Sequence, residues 1–170
     1  MTSSALLRTA TFSTPCGPFS IALDDTGALV ATAFGLRPAL LRRLPANCHA
    51  TGASDRDPAV VAVKEQVDAY FAGKRRNFGL RMAPLGTPFQ RRVWTALAEI
   101  PHGETRSYGQ LAAQLGQPGA ARAIGRANAT NPLCLVVPCH RVIGADGSLT
   151  GFAFGETIKR QLLVHEGVAI

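Results

Sequence analysis

The chain has 170 residues, 46% of them hydrophobic and 17% charged, with a formal net charge of +7. That balance excludes a disordered or fibrous chain, and the length suffices for one large domain or two small ones. No run of about 18 apolar residues is present, so no membrane span is expected, and the opening MTSSALLRTATFS lacks the apolar core and cleavage site of a secretory signal.

Basic residues outnumber acidic ones in both halves, which suits a polyanionic partner without requiring one. The four cysteines, Cys16, Cys48, Cys134 and Cys139, are irregularly spaced, with no C-x-x-C pair and no histidine pair to complete a zinc site. A reduced, cytoplasmic chain with thiols is expected.

In chain order, residues 17–35 predict two strands around a turn at Asp24, Asp25, Thr26 and Gly27. A loop rich in arginine and proline follows, and the arginines of residues 36–43 read by default as facing solvent. Residues 57–73 predict a helix with Asp57 as N-cap, Pro58 at its first position and Gly73 as its stop. Residues 77–82 alternate apolar and polar side chains, as a half-buried strand does. Pro84 and Gly86 mark a linker, so residues 1–84 and 85–170 are expected as two domains.

The second half reads as mostly helical. Thr87 with Gln90, and Ser107 with Gln110, have capping-box spacing at the starts of helices over residues 87–101 and 107–116. A third helix over residues 117–128 follows after a tight turn, a helix-turn-helix pattern. Ala120, Ala121, Ala123, Gly125 and Ala127 leave that helix nearly bare, with Arg122, Ile124 and Arg126 projecting. It is either a tight helix–helix contact or a recognition helix that sinks into a narrow groove, its N–H groups at phosphates and one arginine in the base stack.

Residues 136–144, VVPCHRVIG, carry the chemistry. The apolar run 132–137 reads as a buried strand, with Pro138 keeping Val137 extended and Cys139 emerging at the strand end. His140 is adjacent, but neighbours on an extended chain point to opposite sides, so a contact with Cys139 needs a bend or a bridging water. A reactive thiol needs its pKa lowered by a cation, a helix end or a base. From these residues alone, a buried structural cysteine and a nucleophile both stand open. Glu166, in the HEG near the C-terminus, reads from these residues alone as a solvated helix end, the alternative being that its helix returns it to orient His140.

The segments GTPFQRRVW, IPHGETRSYGQLA, GAARAIGRANATNP, PCHRVIGADGSLTGFAFG and LLVHEG span residues 86–167. In order and spacing this set resembles the O6-alkylguanine-DNA alkyltransferases, suicide proteins that repair alkylated guanine. The first half resembles them more loosely, in STPCGPF and AYFAGK. The resemblance implies an α/β (α+β) protein. Its N-terminal part would be a small sheet-plus-helix, ribonuclease H-like domain, and its C-terminal part a helical, winged helix-turn-helix domain that binds DNA and carries the chemistry.

On that resemblance Cys139 is the one-use alkyl acceptor, and His140 draws off its proton through a water. Glu166 sets the histidine tautomer, and Asn131 braces the active-site turn. Tyr108 helps to rotate the damaged nucleotide out and hydrogen-bonds a guanine ring nitrogen, while Arg122 fills the vacated stack. Ala120, Ala121 and Gly125 of the thin helix approach the minor groove. Val142, Phe152, Ala153, Phe154 and Cys134 belong to the substrate pocket, with backbone groups at Cys139, Val142 and Ala153 reading the base.

The partner implied is double-stranded DNA containing O6-alkylguanine. No cofactor and no membrane are implied, and a monomer is expected, with cooperative assembly along DNA left open. Phe152 stands where tyrosine is frequent. Phe154 stands where many members have glycine, which predicts methyl to be handled better than benzyl lesions. Some members hold a structural zinc in the first half; Cys16, Cys48 and His49 do not reproduce that arrangement, so no metal is expected. A DNA-binding sensor of alkylation and an unrelated cysteine hydrolase are the other classes weighed. The first lacks its cysteine-rich zinc domain here, and the second would lack an oxyanion hole.

Overall fold

The computed structural model describes residues 5–170. Residues 1–4, which begin the stretch read above for a secretory signal, lie outside the described residues. The chain divides into two compact units, Met1–Leu85 and Gly86–Ile170. The fold is mixed α/β, with a sheet in the first unit and helices dominating the second, as expected.

In the first unit, strands β1 (Ala5–Thr14), β2 (Gly17–Leu23), β3 (Leu29–Phe34) and β4 (Cys48–Gly52) form one sheet in the order β3-β2-β1-β4. β1 and β2 form an antiparallel hairpin, β2 pairs antiparallel with β3, and β4 runs parallel to β1. Register places Phe12 opposite Phe19 and Phe19 opposite Phe34. Their rings touch at centroid distances of 5.8 and 5.0 Å, a cross-strand aromatic row that pins the register. The turn expected between β2 and β3 is built by Asp24, whose Oδ1 accepts from the amides of Thr26 and Ala28, with Gly27 at φ +85°.

The arginine- and proline-rich stretch is not all loop. It holds a short helix α1 (Arg37–Leu41), with Pro38 in its first turn, and then β4. β4 owes its extended form to pairing with β1, a contact between distant parts of the chain that local composition does not announce. Helix α2 (Pro58–Phe71) matches its expected limits. Asp57 accepts from the Ala59 amide as N-cap and also pairs with Arg8 of β1 at 2.7 Å, and Gly73 at φ +73° follows the helix. Residues 77–82 form no full strand: Phe78 and Leu80 are half-buried as the alternation predicted, but only Met82 bridges to the sheet, at Leu29.

The second unit contains α3 (Pro88–Ala98), β5 (Arg106–Ser107), α4 (Tyr108–Gln114), α5 (Ala121–Ala129), β6 (Val142–Ile143) and α6 (Glu156–His165). Both capping boxes are present, Thr87 with Gln90 and Ser107 with Gln110. Each such cap contributes about 1 kcal/mol to helix stability. α5 begins at Ala121 rather than at 117, because Gly116 turns left-handed at φ +72° and Pro118 and Gly119 extend the turn. Val93, Trp94, Leu97, Ile100, Leu111, Ile124, Leu133, Leu162 and Leu163 are buried in this unit. The Trp94 indole donates to the Ala127 carbonyl at 2.8 Å, locking α3 to α5. β5 and β6 form a two-stranded parallel sheet.

Candidate active site and nucleic-acid interface

The run 132–137 is not the strand expected from its composition: it is coiled into turns. Asn131, 1% exposed, is the staple. Its Oδ1 accepts from the Leu133 amide and its Nδ2 donates to the Val137 carbonyl, each at 3.0 Å. Inside this bracket the Val137 amide donates to the Leu133 carbonyl, and Leu135 adopts φ +73°. A leucine in that region costs about 1 kcal/mol or more, so the surrounding bonds must hold it.

The bend needed beside Cys139 comes from Pro138, at φ −80° and ψ 64°, where the Cys139 amide donates to the Val137 carbonyl in an inverse γ-turn. Residues Cys139–Arg141 then form one 3-10 turn, so the cysteine lies on a turn and not at a strand end. At three residues per turn, successive side chains diverge by a third of a circle instead of opposing each other. Cys139 is 4% exposed and His140 fully buried. All four cysteines are thiols.

Glu166, at the C-cap of α6, is buried rather than a solvated helix end. His140 Nε2 donates to Glu166 Oε2 at 2.9 Å, and Arg141 donates to both carboxylate oxygens at 2.8 and 2.9 Å. A third Arg141 nitrogen donates to the Ile100 carbonyl at 2.6 Å. Burial acts to raise the Glu166 carboxyl, but hydrogen bonds from His140 and Arg141 and their charges hold it far below the usual carboxylate range. For His140, burial dominates and lowers its pKa, although Glu166 pulls upward. The imidazole is therefore neutral near pH 7, and a carboxylate partner, which only accepts, places its proton on Nε2. Nδ1 is left as the basic nitrogen, buried and without a hydrogen-bond partner among the described residues.

Lys159, also buried, donates to the carbonyls of Val142 at 2.5 Å and Thr150 at 3.0 Å. Burial lowers its pKa to about 8, while the negative charge available at Cys139 raises it. The Thr150 carbonyl also accepts the Tyr108 hydroxyl at 3.0 Å. Burial first, and Cys139 second, raise the Tyr108 pKa, against a lowering by Asn128.

Tyr108 lines an open cleft of about 590 Å³ with Ala121, Arg122, Gly125, Arg126, Thr150 and Gly151, among others. Two glycines flank the Tyr108 side chain, and only Gly151 is required by it. A Cβ on Gly125 would lie 3.8 Å from the ring, and one on Gly151 would collide with the hydroxyl. Arg122 and Arg126 of α5 are exposed, so the thin helix presents small residues and two cations on the cleft side. Ala120 is the N-cap of α5.

Of the expected pocket residues, Val142, Phe152 and Cys134 are buried, Ala153 is exposed and Phe154 half-buried. The Phe152 and Phe154 rings meet edge-on at 5.6 Å. The Val142 amide is engaged by the Cys139 carbonyl. Arg141, Lys159, Thr150 and Asn128 were not singled out from sequence. One signal was available: Lys159, Leu162, Leu163 and Glu166 fall at i, i+3, i+4 and i+7, so a buried helix face begins and ends in a charge. Among the described residues, no helix is long and apolar enough to cross a membrane, and no group of three or more His, Cys, Asp or Glu could hold a metal ion.

Two family models match. Residues 88–168 match the DNA binding domain of 6-O-methylguanine DNA methyltransferase, and residues 7–84 match its ribonuclease-like domain. A methylated-DNA–protein-cysteine methyltransferase of Methanosarcina acetivorans is 57% identical over 102 residues, covering 60% of this chain and 65% of that relative. The protein of the same name from Mycobacterium tuberculosis is 45% identical over 162 residues, 95% of this chain and 93% of the relative. A crystal structure of Mycobacterium tuberculosis OGT in complex with DNA superposes with a TM-score of 0.82 at 42% identity, covering 94% of this chain and 93% of that one.

Proposed function

The chain belongs to the 6-O-methylguanine DNA methyltransferase family, and from that membership we propose that it repairs DNA by taking the alkyl group of O6-alkylguanine, preferentially methyl, onto Cys139. The observation that carries this reading is the neutral, fully buried His140, fixed by Glu166 through Nε2 and turned out of that pair through a basic Nδ1, directly after the cysteine. A thiol beside such a base can be ionised at neutral pH, and a thiolate is a strong nucleophile toward carbon.

In the proposed step the Cys139 proton passes to His140 Nδ1, by way of a water. The thiolate forms an S–C bond to the alkyl carbon as the C–O bond breaks, and that electron pair stays on the guanine. Tyr108 hydrogen-bonds a ring nitrogen of the base and eases its departure, and Lys159 supplies a neighbouring positive charge. The thioether has no good leaving group, so each molecule acts once. The reacting oxygen is out of reach inside a duplex, so the nucleotide must be extruded. Small residues of α5 bring that helix close to the minor groove, with Arg122 filling the gap and the cleft beside Tyr108 receiving the base. The unit Gly86–Ile170 acts as the DNA-binding and catalytic domain, and Met1–Leu85 as a separate N-terminal domain.

The test is to incubate the protein with duplex DNA containing O6-methylguanine and weigh it. One added methyl on the peptide bearing Cys139, absent in Cys139→Ala, is expected. Repeated turnover of the DNA, or an unchanged mass, overturns the proposal.

A further inference from the structure

Asn128 lies in the last turn of α5, 2% exposed, and neither its amide oxygen nor its amide nitrogen has a hydrogen-bond partner among the described residues. A buried amide in that condition lowers stability, whereas an apolar side chain of similar size would not. It follows Gly125 by three residues and so shares the helix face from which a Cβ would meet the Tyr108 ring at 3.8 Å. The amide is close enough to the Tyr108 hydroxyl to favour its ionisation, against burial and the Cys139 charge. The hydroxyl proton is engaged with the Thr150 carbonyl, which leaves the phenol oxygen able to accept.

We propose that Asn128 is a positioning residue for Tyr108: its amide N–H donates to the phenol oxygen when the hydroxyl turns from the Thr150 carbonyl to the extruded guanine. A hydroxyl whose oxygen itself accepts a hydrogen bond is a stronger donor, and the base needs that donor as it gains the electron pair of the broken C–O bond. Asn128 exchanges no proton and forms no covalent bond. Its amide finds its partner in the reacting complex, which explains why a polar group is kept where it weakens the resting fold.

This inference rests on the alkyl-transfer reading. The two are told apart by first measuring methyl uptake on Cys139 in the unmodified protein, where no mass gain would sink the transfer reading itself. Single-turnover rates and duplex affinities are then compared for Asn128→Leu, Tyr108→Phe and the double variant, with Asn128→Ala serving where leucine does not fold. Asn128→Leu is expected to slow transfer about tenfold, with affinity within about twofold and a melting temperature equal to or above that of the parent. Added to Tyr108→Phe, it should change the rate less than about twofold, because the oxygen it acts on is gone. A parental rate for Asn128→Leu, or an equal slowing in both backgrounds, overturns the proposal.

Discussion

His140 and Glu166 form a fully buried pair, Nε2 to Oε2 at 2.9 Å, between side chains with no solvent exposure. The pair joins a 3-10 turn to the end of the last helix, and Arg141 closes the arrangement by donating to both carboxylate oxygens. A buried charge is tolerable only when paired and hydrogen-bonded, so the orientation of the imidazole and the stability of the unit rest on the same contacts.

Glu166→Gln tests this directly. The amide can still accept from one neighbour, but Arg141 becomes a buried cation without a counter-charge. We expect a stability loss of about 3–5 kcal/mol, read by urea unfolding, and at least about tenfold slower methyl transfer, read under single-turnover conditions.

Acid should destabilise the fold in two stages. His140 has a folded pKa below its ordinary value of 6.5, so below that pH the unfolded chain takes up a proton that the folded chain refuses. Stability therefore falls as pH drops below 6.5, by up to about 1.4 kcal/mol per pH unit for the one proton. Glu166, depressed below 4.5, adds a second loss as pH falls below that value toward its folded pKa. Unfolding free energies measured between pH 7.5 and 3.5 check this, and His140→Phe should flatten the first stage.

Asn131→Ala removes the staple of the turn that carries Cys139 and leaves the Leu133 amide and Val137 carbonyl without their buried side-chain partner. A loss of about 2–4 kcal/mol is expected from calorimetry. Methyl transfer should fall further than in variants of equal stability remote from the turn.

Phe154→Gly deletes the ring that meets Phe152 at 5.6 Å. If this ring narrows the pocket, benzylguanine reactivity rises about tenfold relative to methylguanine. An unchanged ratio in competition assays would show that the ring does not set the substrate range.

Gly125→Ala probes the thin helix. The added methyl would sit at an ordinary 3.8 Å from the Tyr108 ring. Stability should rise by up to about 1 kcal/mol, because alanine is the better helix former. If the small residues of α5 serve close approach to the duplex, affinity measured by fluorescence anisotropy falls; an unchanged affinity would show that glycine is not required there.

Local physics was readable from the residues. The capping boxes at Thr87 and Ser107, the Asp57 cap, the turn around Asp24 and the sheet-then-helix order follow from contacts within a few positions, and the structure contains all of them. The ordered motifs of residues 86–167 likewise identified the family. Tertiary structure decided what distant partners impose. β4 is a strand because β1 is beside it. Residues 132–137 are coiled because Asn131, a near neighbour in sequence, staples both ends of an otherwise strand-like run, a local bond that apolar composition does not reveal. Composition alone left Glu166 a solvated helix end. Burial against His140 and Arg141 makes it the anion that sets the histidine's proton, because hydrogen bonds and low dielectric act only once folding has brought residues 140 and 166 together.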